Sequence, residues 1–550
     1  MKFTHFFVQH GQGRWKKRMM NHAKKVLLGT FAAVMLSTLM PQTGNAASND
    51  IRILMNNKQL QTDVAPYLMP GKNVTMLPFR AVGEATGATV GWDQANRQVE
   101  FRKDGHTIRL TIGDSNAEVD GQHVQLDVSA SMRGGRTMVP LRFISESVGL
   151  KVDWNQRERI ITIASEGGEA GSEDGEAIHS ESLRGTWIST VYNIDWPQDP
   201  KKSGFNAERQ KQQYTSMLDK LQEAGINAVF VQVRPTSDAF YPSKLLPWSE
   251  WLTGTQGKDP GYDPLKFMVE ETHKRGMQFH AWFNPYRVSV QGDVSKLVNG
   301  HPAKEHPDWV VKHQNKLIYN PGVPEARQFV LDSIMEVVNN YDIDGVHLDD
   351  YFYPYGEDKE SFKDNDTYER YNKVFNNKGD WRRNNVNEFI ESLYKQIKSA
   401  KPNVQFGISP FGVWRNSSAD PTGSATKAGL SSYDNLYADT RTWIKNHWID
   451  YIAPQVYWHI GHKAASYDTL VNWWVKETAG TGVELFIGHA AYKLADANET
   501  DWNSADVLIK QLEFNSRIDA VAGSIFFSAA DLVRNTKQVS DKLQHYYEEK

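Results

Sequence analysis

The 550-residue sequence contains no cysteine. That absence excludes disulfides, thiol nucleophiles, cysteine-ligated metals and lipidation at a mature N-terminal cysteine. Charge of neither sign dominates: 62 Lys and Arg against 66 Asp and Glu leave a formal net charge of −4. Such a balance gives no electrostatic case for nucleic acid or an anionic membrane as a partner. Neither an HExxH helix nor a Gly-x-Ser-x-Gly elbow occurs. Long apolar runs are scarce too. One spans Val26 to Met40, behind Lys16, Lys17, Arg18, Lys24 and Lys25 and ahead of the small residues Gly44-Asn45-Ala46. It is short for a membrane span, and its flanks are those of an export signal over residues 1–46, with Met19 or Met20 as alternative starts. The expected mature protein is secreted, at the cell surface or bound to the cell wall, with no integral membrane segment.

Residues 47–164 contain an internal repeat. TMLPFRAVGEATGATVGWDQANRQVEF from Thr75 is answered by TMVPLRFISESVGLKVDWNQRERIITI from Thr137. Pro78, Arg80, Glu84, Gly87, Trp92 and Arg97 recur as Pro140, Arg142, Glu146, Gly149, Trp154 and Arg159. Each copy predicts a short helix, a glycine stop and a hairpin whose first strand ends at Trp, a small duplicated α+β module sharing one apolar face. The pattern resembles the copper amine oxidase N-terminal-like, or stalk, domain of exported bacterial proteins. His106 and His123 stand alone, without metal-ligand spacing, so the module reads as a non-catalytic spacer or cell-wall attachment. The arginines at 80 and 142 read as structural. Residues 165–182, SEGGEAGSEDGEAIHSES, are acidic and glycine-rich and read as a flexible linker.

From residue 183 to 550, strand-like and helical runs alternate. The strands lie near Gly185, Asn227, Met277, Asp344, Val404, Asp450, Glu484 and Val521. Amphipathic segments such as AERQKQQYTSMLDKLQEAG and PEARQFVLDSIMEVVNNYD separate them, punctuated by Pro324 at a helix start and Gly225 and Gly276 at helix ends. Eight such units predict an α/β fold, a (β/α)₈ TIM barrel. An open doubly wound sheet is the alternative, but no glycine-rich phosphate loop follows the first strand.

Period-two parity sorts the strand residues. Val229, Val231 and Val233 should face the helices, leaving Gln232 and Arg234 inward. Phe279, Ala281 and Phe283 should face out, leaving His280, Trp282 and Asn284 inward. His347 and Asp349 on the fourth strand, Gln455 and Tyr457 on the sixth and His489 on the seventh complete the inward set. A buried hydrogen-bond network accounts for His280 or His347 singly. Five strands with polar groups at the same end point instead to a site at the C-terminal mouth. Histidines 280, 347, 459 and 489 raise the idea of a metal-dependent hydrolase, but the first strand lacks paired histidines, and neither metal nor cofactor is expected.

The stretch Asp342–Pro354, DIDGVHLDDYFYP, carries the chemistry. DGVHLDD resembles the fourth-strand pattern of retaining α-amylase-type barrels, with Asp349 on the nucleophile and His347 replacing an arginine. It also resembles the chitinase-type DGxDxDxE strand, with Tyr351 where that family has its acid. The whole domain resembles the bacterial glycosyl-hydrolase-like family ten, through RGTWIST from Arg184, VQVRPTSDAFYPS from Val231, AWFNPYR from Ala281, DGVHLDDYFYP, GISPFGVWR from Gly407 and APQVYW from Ala453. That resemblance implies a glycosidase acting on a polysaccharide, by its relatives the peptide-free glycan strands of peptidoglycan. A catalytically silent glycan-binding protein is the competing reading.

Asp349 and Asp350 are the candidate catalytic residues. Were the strand to continue through both, Asp350 would face the helix shell or a loop, and the partner carboxyl would come from Asp238, Glu357 or Asp531. Trp282, Tyr286, Tyr351, Trp414, Tyr457 and Trp458 are candidate sugar-stacking side chains. Arg234, Asn284 and Gln455 are candidate ligands for hydroxyls or a lactyl carboxylate, and Asp238, His347 and His489 complete the candidate substrate-binding set.

Overall fold

Eight parallel strands close on themselves between residues 183 and 526 in the computed structural model. They are β1 (Leu183–Ile188), β2 (Ala228–Arg234), β3 (Gln278–Phe283), β4 (Gly345–Leu348), β5 (Gln405–Ile408), β6 (Tyr451–Ile452), β7 (Glu484–His489) and β8 (Val521–Phe526). The structure describes residues 52–165 apart from several short stretches, and residues 182–549 apart from 356–361. The predicted export signal, nearly all of the linker, Arg142 and Glu357 lie outside the described residues. Those that are described form two compact units.

Pairing of β1 with β8, Leu183 opposite Gly523 and Gly185 opposite Ile525, closes the sheet and removes the open doubly wound alternative. The helices begin where the sequence supplies caps. Asn206 accepts from the Arg209 amide at 2.8 Å at the head of Ala207–Glu223, and Asp263 accepts from Lys266 N at 3.0 Å before Pro264–His273. Pro324 opens Pro324–Asn340, and Gly225, at φ +81°, turns the chain into β2. The sixth strand is shorter than its sequence predicts, because Pro454 cannot donate to a ladder.

Parity holds within the strands. Val229, Val231, Val233, Phe279, Ala281 and Phe283 join the core under the helices, whereas Ala228, Phe230 and Trp282 join Trp187, Tyr451, Phe486 and Ile525 inside the barrel. Two glycines make room for interior rings. A Cβ on Gly345 would stand 2.1 Å from His280 Nδ1, and one on Gly407 would stand 2.1 Å from the Tyr451 ring. A closed barrel cannot widen locally to relieve such a contact. Gly407→Ala should therefore destabilise the protein by about 1–3 kcal/mol, seen as a lowered urea midpoint with an unchanged m-value.

In the smaller unit, a five-stranded antiparallel meander runs from Thr89–Asp93 to Gln122–Gln125, beside two four-stranded sheets. Thr75–Pro78 and Arg136–Pro140, equivalent segments of the two sequence copies, pair antiparallel with Leu77 opposite Val139. Leu77, Phe79, Val99, Phe101, Ile108, Leu110, Val139 and Leu141 are among the residues that fill the core. The strands holding Trp92 and Trp154 run one residue past each Trp, to Asp93 and Asn155. Most of the predicted helix after each proline lies outside the described residues. Arg80 is exposed.

Candidate active site

β4 stops at Leu348, so the alternation of faces does not extend to the two aspartates that follow. This corrects the expectation that Asp350 faces away from Asp349. The Asp350 carboxyl hydrogen-bonds that of Asp349, and the Tyr355 hydroxyl donates to Asp350 Oδ2. Asp350 is buried at 5% exposure, whereas Asp349 is only half-buried. Asn284 Nδ2 donates to Asp349 Oδ2 at 2.8 Å, and the Asp350 amide donates to Asp349 Oδ1 at 2.9 Å. Gln455 Nε2 lies 3.4 Å from the same Oδ1 and donates to the Ser409 carbonyl at 2.9 Å. Burial, and next the charge of Asp349, push Asp350 well above the ordinary carboxylate range, against the opposing pull of Tyr355. The pair therefore keeps a proton on Asp350, its buried member.

Asn284 is itself held. Gln232 Nε2 donates to Asn284 Oδ1, while Gln232 Oε1 accepts from the amides of Val191 at 2.9 Å and Thr190 at 3.0 Å. Those amides begin the loop after β1, which carries Tyr192 at φ +57° and Asn193 at φ +52°. Left-handed backbone at two successive non-glycine residues costs on the order of 1–2 kcal/mol each and clusters at functional sites. Tyr192 remains 39% exposed, with its ring 5.1 Å from that of Trp251. Asp195 ties this loop to the one after β8, accepting from Ser189 N at 2.7 Å, Ser528 Oγ at 2.7 Å and Ala530 N at 2.8 Å. Burial raises its pKa to about 7 despite those donors.

The loop after β3 leads into a three-stranded sheet, Arg287–Ser289 with Lys316–Tyr319 and Val310–His313. Arg287 comes from its first residue, and its guanidinium carbon sits 5.1 Å from the centre of the Tyr351 ring. Asp349 and Asp350 both act electrostatically on Arg287, on Tyr355 and on Tyr457. Tyr351, Asn284, Gln455 and Tyr457 are thus the proposed substrate-binding residues that lie with the aspartates. Arg287, Tyr355 and Tyr192 were not singled out by sequence. Arg287 was visible inside AWFNPYR, but it stands beyond the strand end where parity carries no information.

The other candidates lie elsewhere. A bulge between Gln232 and Arg234 re-aims Arg234, which is fully buried and donates to the Asn284 and Pro285 carbonyls at 2.9 and 3.0 Å. Asp238 is buried behind it, near Thr236, Ser249 and Gln256 but in good hydrogen-bond geometry with none; burial raises its pKa to about 6. Trp282 belongs to the barrel interior and is 4% exposed. Tyr286 packs on Phe389 at 5.4 Å, and Trp414 stacks on Trp473 at 5.6 Å under Arg441, both beneath the helices. Trp458 is half-buried, edge-on to Phe411. Asp531 is buried and paired with Arg534 at 2.6 Å.

His280, His347 and His489 are core residues, whereas His459 is half-buried and lies 3.3 Å from Asp501. His347 Nε2 accepts from Trp187 Nε1 at 3.0 Å and lies 2.9 Å from Ser409 Oγ, with Nδ1 3.0 Å from the Tyr451 hydroxyl. Burial holds its pKa well below the usual imidazole value. His280 stacks on Phe230 at 4.4 Å and also reaches Tyr451. His489 Nδ1 donates to Gln511 Oε1 at 2.8 Å, with Nε2 3.0 Å from Ser524 Oγ, and burial lowers it to about 4. His347 and His489 are neutral imidazoles satisfied by tertiary partners, so neither offers a nitrogen to a substrate. Among the described residues no three metal-ligating side chains gather.

A closed (β/α)₈ barrel whose fourth strand delivers a carboxylate to its C-terminal mouth is an architecture that glycoside hydrolases use. The chain belongs to the glycosyl hydrolase-like 10 family, whose model matches residues 182–506. Residues 54–163 match the copper amine oxidase N-terminal domain. The chain is 54% identical to glycosyl hydrolase YngK of Bacillus subtilis over 363 residues, covering 66% of this chain and 71% of the relative. It is 44% identical to glycosyl hydrolase DigH of Escherichia coli K12 over 366 residues, covering 63% and 83%. Among solved structures it is similar to the PgaB glycoside hydrolase domain of Bordetella bronchiseptica, with a TM-score of 0.42 and 13% identity over 66% of this chain and 98% of that one. The enzyme class expected from sequence, a glycoside hydrolase, stands.

Proposed function

We propose that the protein is an exported glycosidase that cleaves peptide-free peptidoglycan glycan strands, with Asp349 as the carboxylate that meets the sugar. The observation that carries the catalytic part is the hydrogen-bonded pair in which Asp350 is buried and protonated while Asp349, fixed by Asn284, is the more exposed. Retaining enzymes space their two carboxyls about 5–5.5 Å apart and inverting ones about 6.5–9.5 Å, wider than two carboxyls in direct hydrogen-bond contact. Asp350 is therefore the support of Asp349, and the acid that protonates the leaving oxygen comes from another group. The family resemblance favours the glycan substrate. The basic and apolar N-terminal run favours export, and the stalk-like module favours attachment to the cell wall.

Incubating the purified protein with peptide-free glycan strands should release short oligosaccharides detectable by mass spectrometry. Intact glycan that nevertheless co-sediments with the protein would replace the hydrolase reading by a binding one.

A further inference from the structure

We propose that Arg287 reads a carboxylate on the sugar bound beside Asp349, so that this site selects an acidic glycan over a neutral one. The proposal rests on the mouth being the glycan site. Among the described residues, the Arg287 guanidinium has no hydrogen bond and no ion pair, although it is half-buried between Tyr351 and the aspartates. An arginine kept only to neutralise Asp349 would close on it at about 2.7–2.9 Å. Here the amides of Asn284 and Asp350 occupy the Asp349 oxygens instead, at 2.8 and 2.9 Å, with Gln455 at 3.4 Å.

Desolvation pushes the guanidinium below its ordinary pKa, and the charge of Asp349 only partly offsets this. A half-buried cation whose donors meet solvent and, among the described residues, no protein acceptor is stabilised by an anion that arrives with the ligand. The planar fork matches a carboxylate, and the Tyr351 face 5.1 Å below orients the fork. Tyr192, which is 39% exposed, lies within the arginine's electrostatic reach. Arg234, the arginine that sequence favoured for a lactyl carboxylate, is sealed from solvent by contrast.

Two measurements on the wild type, Arg287→Gln and Arg287→Lys test this. Calorimetry with N-acetylmuramic acid, glucuronic acid and N-acetylglucosamine compares an ether-linked carboxylate, a ring carboxylate and a neutral sugar. Kinetics compare native glycan strands with strands whose carboxyls have been reduced to alcohols. The wild type should bind at least one acidic sugar about 10-fold or more tightly than the neutral one, and which of the two it prefers identifies the carboxylate. Arg287→Gln should lose about 10- to 100-fold more kcat/KM on native than on reduced strands, with Lys restoring only part. Equal losses on both strands, or equal wild-type affinity for all three sugars, would overturn the assignment. Acid-selective binding without cleavage of any strand would refute the hydrolase reading and leave Arg287 in place.

Discussion

Asparagine in place of Asp349 should lower kcat on the glycan by about 10³-fold or more, while the same change at Asp350 should cost about tenfold or less. The asymmetry follows from the proton. Asp349 must offer a negative oxygen to the reacting sugar, and an amide there removes the charge while keeping the shape. Asp350 already carries its proton, because burial and the neighbouring charge hold its pKa well above that of an ordinary carboxylate. An amide at that position is neutral as well, and it can still donate to Asp349 and meet Tyr355. What is lost is the quality of one or two hydrogen bonds, about 1 kcal/mol each. Side-by-side kcat values and pH profiles on the same glycan decide the matter. The wild type should lose activity on the alkaline side both as the pair surrenders its shared proton and as the separate general acid ionises, and Asp350→Asn should keep only the second of these. Equal losses in the two variants would make Asp350 the proton donor and overturn the division of roles.

The same buried proton should contribute to the pH dependence of stability, beside the raised carboxyls of Asp195 and Asp238. An aspartate in the unfolded chain titrates near 3.9, whereas Asp350 in the folded protein titrates well above that. Between the two values the folded state binds one more proton than the unfolded state, so stability falls as pH rises, by about 1.4 kcal/mol per pH unit for this group. Below the unfolded value both states are protonated and the contribution is fully present. Above the folded value it has been lost. Asp350→Asn carries no such titration. Urea midpoints measured from pH 4 upward should therefore show the variant gaining on the wild type with each pH unit, until the folded-state group has ionised. A difference that stays flat with pH would show that Asp350 is not held protonated.

Most of the barrel was legible because its signal is repetitive: strand-like and helical runs alternate eight times, and inside a strand apolar alternation leaves one geometric answer. Val229, Phe279 and Trp282 lie on the sides that parity assigns them. The site was less legible because it begins where the strands end. Parity fails at Asp350, one residue after the extended backbone ceases to govern direction, and at Arg234, where a bulge intervenes. His347 and His489 had the placement of site residues, yet Trp187 and Tyr451, Gln511 and Ser524 come to them from distant strands and helices. Tyr286 and Trp414 were misjudged for a related reason: an aromatic after a strand can fold under the helices as readily as over the mouth. Arg287 and Tyr355 owe their positions to loops whose course no periodicity encodes.

Gln232 has a role that its buried position conceals. Two main-chain amides fix its carbonyl oxygen, so its NH₂ must point to Asn284. Asn284 must then present its own oxygen to Gln232 and its NH₂ to Asp349. The head-to-tail order of these dipoles is dictated from the first loop, and neither amide can flip without setting two acceptors face to face. The backbone that bears Tyr192 thus determines that Asp349 meets an N–H and not a carbonyl, the polarity a carboxylate requires if its charge is to face a sugar.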